Sequence, residues 1–168
     1  MVHALTDSIA PAVLLIEDDF IHGGLIKTAL SAAGVHVCMA VTEAEAEDVL
    51  HVFLPDVIIT DWDSDGIDGR AFVKALRAKC QPQTRIPAIL MTQSPVTDAL
   101  RLELLEDDFS WILQKPFSMS GLPRLVRSVL AEQSHAKSER VHSQAVRHFS
   151  DFVPLLGIND KPESRRAH

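Results

Sequence analysis

Asp56-Val57-Ile58-Ile59-Thr60-Asp61 is the stretch on which the fold turns. Its four central residues are all β-branched, which stiffens χ1 and favours extended chain. The apolar run is unbroken instead of alternating, the mark of a strand covered on both faces and hence of a parallel sheet. Pro55 sets its start. Comparable runs lie on either side: Val13-Leu14-Leu15-Ile16, Val35–Ala40, Ala88-Ile89-Leu90-Met91-Thr92 behind Pro87, and Ser110–Gln114 before Lys115-Pro116.

Longer segments of helical period separate these runs. Phe20–Ala33 is closed by Gly34. Thr42, with Glu45 three residues on, forms a capping box that opens the next helix. Gly69–Cys80 gathers Phe72, Val73, Ala75 and Leu76 on one broad face. Pro95 opens a helix running to about Glu106, and Leu122–Glu132 supplies the fifth. Five βα units in succession predict an open, doubly wound α/β sheet.

Composition narrows the function. The 168 residues suit one domain with a tail, and a 46% hydrophobic content excludes a disordered chain. Sixteen Lys and Arg against 23 Asp and Glu give a formal charge of −7, which excludes a globally basic nucleic-acid surface. Cys38 and Cys80 match no metal spacing and read as free thiols in a reducing compartment. No apolar run approaches the ~20 residues of a membrane span, and Met1–Pro11 lacks the basic start and apolar core of a secretory signal. A cytoplasmic protein without membrane contact is expected.

Ligands of such sheets bind outside the carboxyl ends of the strands. There the first run delivers Glu17 and Asp18, the third Asp61, the fourth Thr92 and the fifth Lys115. Two like charges ~4 Å apart repel by about 1 kcal/mol in water and about 4 kcal/mol at an effective dielectric of ~20. Three carboxylates gathered in one cleft therefore call for a cation. Hard carboxylate oxygens suit Mg²⁺, which binds through one or two carboxylates alongside phosphate oxygens. Lys115 and Thr92 would each hold a phosphoryl oxygen, and aspartate is a known type of covalent phosphoryl acceptor.

Glu17-Asp18, Asp61, Thr92 and Lys115-Pro116-Phe117, in this order and spacing, resemble the receiver domains of two-component response regulators over about Ala12 to Gln133. The resemblance implies a flavodoxin-like five-stranded sheet of order 2-1-3-4-5. It makes Asp61 the phosphoacceptor, Asp18 a direct Mg²⁺ ligand alongside Asp61, Glu17 a ligand through metal-bound water, and Asp63 a donor of its backbone carbonyl. Lys115 and Thr92 complete the phosphoryl site, with a cis Lys115–Pro116 bond aiming the lysine. Asp68-Gly69 matches the family's turn after the acceptor loop. The implied partners are a histidine kinase or histidine phosphotransfer protein and a downstream protein target. The implied activity is signalling with self-catalysed phosphotransfer, not turnover of a substrate.

Three other readings compete. Asp61-Trp62-Asp63-Ser64-Asp65-Gly66 copies half of an EF-hand loop, but position twelve is Phe72 where a bidentate Glu is required. The Asp-x-Asp of haloacid-dehalogenase-type phosphatases also fits, but there the acidic pair follows the lysine, whereas Glu17-Asp18 precedes it. A receiver-like binding module without phosphorylation is the third. It draws on the departures from the family: Ile112 where the switch aromatic stands, Gln93 after Thr92, and Ser64-Asp65 in place of Met-Pro.

The expected organisation is a tail over 1–11, a receiver over 12–133, and over 134–168 a helical extension followed by a disordered end. In the extension Val141, Ala145, Phe149 and Phe152 or Val153 would share one helix side, either folded back on the domain or forming a dimer or partner contact. No nucleic-acid partner is expected. The eight histidines are read as solvated or packed, not as part of the site.

Overall fold

A computed structural model describes residues 10–63, 66–79, 86–106, 109, 111–138 and 147–148. Strands β1 (Ala12–Ile16), β2 (His36–Ala40), β3 (Val57–Asp61), β4 (Ala88–Thr92) and β5 (Trp111–Gln114) alternate with helices α1 (Phe20–Ala32), α2 (Glu43–Val52), α3 (Gly69–Ala78), α4 (Asp98–Glu106) and α5 (Leu122–Ser138). The five strands pair in parallel in the order 2-1-3-4-5.

Successive residues of β1, β3, β4 and β5 enter opposite cores. Val13, Leu15, Ile59, Met91 and Leu113 face Ile26 and Leu30 of α1 and Leu125, Val126 and Val129 of α5. Leu14, Ile16, Ile58, Leu90 and Ile112 face Ala46 of α2, Phe72 and Val73 of α3, and Leu104 of α4. Both faces are thus dry, which is why these strands carry apolar runs and not alternation. Phe72, which denied the EF-hand loop its last ligand, is a core residue.

Local signals set the helix ends. Asp19 caps α1 by accepting the Ile21 and His22 N–H groups. Gly34, at φ 78°, closes it, with Val35 N–H on Leu30 O and Gly34 N–H on Ser31 O, a Schellman arrangement. Thr42 accepts the Glu45 N–H while Glu45 reaches back to the Val41 N–H, so the expected capping box forms one residue wider than the standard motif.

Two expectations are corrected. Helix α4 starts at Asp98 and not at Pro95, because the Thr97 hydroxyl accepts the Leu100 N–H and so supplies the cap that Pro95 cannot. Within the stretch expected to be helical, Arg147–His148 forms a short strand, β6, parallel to β5 with Trp111 opposite Arg147 and Ile112 opposite His148. The backbone groups on the outer side of β5 would otherwise be an open sheet edge, and pairing them outweighs local helix pattern. Helix α5 runs to Ser138, beyond the expected receiver boundary at 133. The other positions of the expected extension beyond Ser138, the tail over 1–9 and Cys80 lie outside the described residues. Cys38 is a free thiol. No helix among the described residues is long and apolar enough to cross a membrane.

Candidate functional site

The strand order reverses between β1 and β3, and a crevice opens where the connections leaving their carboxyl ends part to opposite faces of the sheet. Glu17 and Asp18 follow β1 directly, Asp61 ends β3, and Lys115 follows β5. The sequence thus brings together side chains up to 98 positions apart because four parallel strands end at one level, Asp61 lying opposite Met91 and Thr92 opposite Gln114.

Glu17, Asp18 and Asp61 present carboxylate oxygens within 4.8 Å of one another, the one such metal-capable group among the described residues. Lys115 Nζ lies 2.7 Å from Asp61 Oδ2 and 3.6 Å from Glu17 Oε2. The side chains of Lys115, Asp61 and Glu17 are 14, 7 and 1% exposed, so these charges interact with little water between them. Asp61 Oδ1 accepts the Asp63 N–H at 3.3 Å, and Asp18 Oδ2 accepts the Gly66 N–H at 3.1 Å. With the Asp19 N–H on Glu17 Oε1, three backbone donors and one ammonium face the acids, and the acids outnumber the ammonium.

Gly69, the first residue of α3, lets that helix approach the end of β3. A Cβ there would collide with Thr60 Oγ1 and stand 2.7 Å from the Asp61 carbonyl oxygen. Asp68 caps α3 through the Ala71 N–H. The Lys115–Pro116 bond is cis. Asp19, on the rim, has its carboxyl held below the ordinary carboxylate range by the backbone N–H groups of His22 and Ile21.

Glu17, Asp18, Asp61, Asp63 and Lys115 all line the cleft at this end of the sheet. Thr92 is fully buried at the end of β4, with its hydroxyl accepting the Ser94 N–H. The Asp63 side chain crosses to the β4–α4 connection, accepting the Gln93 N–H and lying 3.5 Å from the Ser94 hydroxyl. Gln93 itself lines the cleft, at the position where the sequence placed a bulky residue beside the acceptor. Ile112 packs on the α4 face while Trp111 packs on the opposite one, as strand alternation requires, so Trp111 does not fill the place of the absent aromatic.

Sequence reasoning missed His22. Its Nδ1 lies 2.7 Å from Glu17 Oε2, and its ring packs on Phe117 at a centroid distance of 5.9 Å. The signal was present: three residues after a helix-capping Asp and five after an acid that ends a strand, a side chain in the first turn of α1 turns back toward that acid.

A model of the response regulator receiver domain family matches residues 13–127. The chain is 33% identical over 132 residues to the phosphate regulon transcriptional regulatory protein PhoB of Rhizobium meliloti, covering 77% of this chain and 55% of that one. It is 35% identical over 112 residues to the transcriptional regulatory protein QseB of Escherichia coli O157:H7, covering 64% of this chain and 47% of that one. The chain thus spans about half the length of these curated relatives. Among solved structures, the receiver domain of Francisella response regulator 1452 superposes with a TM-score of 0.64 at 28% identity, covering 73% of this chain and 98% of that one. The chemotaxis response regulator CheY4 of Vibrio cholerae does so with a TM-score of 0.64 at 26% identity, covering 72% and 99%.

Proposed function

The chain belongs to the response regulator receiver domain family, and from that premise we propose that it accepts a phosphoryl group on Asp61 from a phosphohistidine of a histidine kinase or histidine phosphotransfer protein. The observation that carries this reading is the 2.7 Å contact of Lys115 Nζ with Asp61 Oδ2 beside two further carboxylates. An all-oxygen donor set of this kind fits Mg²⁺ and suits no soft metal. Glu17, Asp18 and Asp61 would hold the ion, with the Asp63 backbone carbonyl as a further donor. Bound there, Mg²⁺ supplies positive charge against the phosphoryl oxygens.

The chain's own residues do the rest. An Asp61 carboxylate oxygen attacks phosphorus, the P–N bond to the donor imidazole breaks, and the electron pair returns to the imidazole nitrogen. Lys115, already on Asp61, holds a phosphoryl oxygen as charge spreads over the transferring group, and Thr92, which ends the neighbouring strand, holds another. Water later attacks the acyl phosphate and regenerates the carboxylate. This makes the protein a signalling domain that assists its own phosphorylation and dephosphorylation. We place it in the cytoplasm, where its kinase partners act, with output by protein–protein contact or as a homodimer. No nucleic-acid role is assigned, although relatives include proteins named as DNA-binding regulators.

The test is incubation with acetyl phosphate and Mg²⁺ followed by intact-mass measurement. A gain of one phosphoryl group that is lost in Asp61→Asn is expected. No gain, even with a phosphorylated kinase or phosphotransfer protein, would favour a receiver-like binding module. Rapid multiple turnover of a generic phosphate ester would favour a phosphatase.

A further inference from the structure

We propose that His22 is a positioning residue that fixes the Glu17 carboxylate for Mg²⁺ and keeps Lys115 on Asp61. The proposal rests on the Mg²⁺ site described above and deepens it.

The Glu17 side chain is 1% exposed, yet it is longer and freer than an aspartate and must be held by contacts. Its oxygens have separate partners. Oε1 accepts the Asp19 N–H at 3.2 Å. Oε2 is shared between His22 Nδ1 at 2.7 Å and Lys115 Nζ at 3.6 Å. A carboxylate only accepts, so the proton in the short contact sits on His22 Nδ1 and the imidazole is the donor.

The unequal distances matter. Lys115 is 0.9 Å nearer to Asp61 than to Glu17 (2.7 against 3.6 Å). With its Oε2 lone pair occupied by the imidazole, Glu17 draws less on the ammonium, which stays on Asp61. A carboxylate offers about four lone-pair positions. Three are directed by the Asp19 N–H, the imidazole and the ammonium, which orients the remaining one.

The imidazole is itself anchored at both ends. Its backbone N–H is held by Asp19 at the start of α1, and its ring lies on Phe117 with planes tilted by 56°. Phe117 follows Lys115-Pro116, so one ring links the β1 acids to the loop carrying the lysine. Hydrogen bonds of this outer kind fix the geometry of metal ligands, and losing one typically weakens metal binding about 10–100-fold.

Two substitutions separate the donor from the ring. His22→Phe keeps a flat ring on Phe117 and removes the donor. His22→Asn keeps an N–H near the Nδ1 position and removes the ring. Mg²⁺ titrations at one fixed pH, followed by the emission of Trp62 beside Asp61, should show binding about tenfold weaker in His22→Phe, with His22→Asn recovering most of the loss. In a Glu17→Gln background the Phe substitution should add little, because its effect passes through that carboxylate. Melting without Mg²⁺ checks that each variant is folded.

Wild-type Mg²⁺ affinity in His22→Phe, or an undiminished effect of that change in Glu17→Gln, would overturn the inference. In either case a Mg²⁺ response seen in the wild type and lost in Asp18→Ala leaves the proposed function standing. Absence of any response in the wild type would remove the metal site and this inference together.

Discussion

Replacing Lys115 by methionine would remove the one ammonium facing three carboxylates while keeping an unbranched stem of similar length. The consequence follows from the distances. Lys115 Nζ lies 2.7 Å from Asp61 Oδ2 and 3.6 Å from Glu17 Oε2. At an effective dielectric of ~20 these contacts are attractive by about 6 and about 5 kcal/mol. Each carboxylate pair repels by about 3.5 kcal/mol even at the outer separation of 4.8 Å. Side chains rotate and take up water when a partner is lost, so the full sums are never realised. Breaking a buried ion pair by removing one member costs about 3–5 kcal/mol in practice. At roughly 4 °C per kcal/mol for a domain of this size, Lys115→Met should melt about 12–20 °C below the wild type in chelator.

Mg²⁺ then supplies charge that the variant lacks. A ligand at a hundredfold excess over its dissociation constant stabilises by about 2.7 kcal/mol. Because the variant's acids are less neutralised, it should bind Mg²⁺ more tightly and gain more. Scanning calorimetry in chelator and in Mg²⁺, with Asp18→Ala as control, reads both effects. If Lys115→Met melts with the wild type in chelator, or gains no more from Mg²⁺, the charge balance drawn for this site is wrong.

Gly69→Ala should destabilise by about 1–3 kcal/mol through overpacking, seen as a lower urea midpoint, with Thr60→Ala relieving part of the loss because Thr60 Oγ1 is the first atom met. Asp19 has a lowered folded pKa, so its contribution is complete above the ordinary carboxylate value and is lost as pH falls through the lowered one. Asp19→Asn, which keeps a capping oxygen, should flatten that acid limb in denaturation series while leaving stability near neutral pH little changed; an unaltered limb would count against the cap. Ending the chain after Ser138 removes β6 and should speed amide hydrogen exchange at Ile112, whose N–H points to the outer side of β5, the Lys115 N–H and by alternation that of Trp111 being directed to β4. Unchanged protection there would mean that the pairing contributes nothing.

The sequence by itself determined the five parallel strands, because a strand buried on both faces must be written as an unbroken apolar run, and Val57–Thr60 is such a run. It also determined which side chains end those strands, and so named Glu17, Asp18, Asp61, Thr92 and Lys115 before any distance was known. Caps at Thr42 and Gly34 were legible because they act within a few residues of themselves. Only the tertiary structure decided the rest. The hold of His22 on Glu17, the reach of Asp63 to the Gln93 N–H and the contact of Gly69 with Thr60 depend on how α1, α3 and the β4–α4 connection sit against the strand ends. The pairing of Arg147–His148 with β5 was hidden for the same reason: a strand edge more than thirty positions away offers hydrogen bonds that local periodicity does not record.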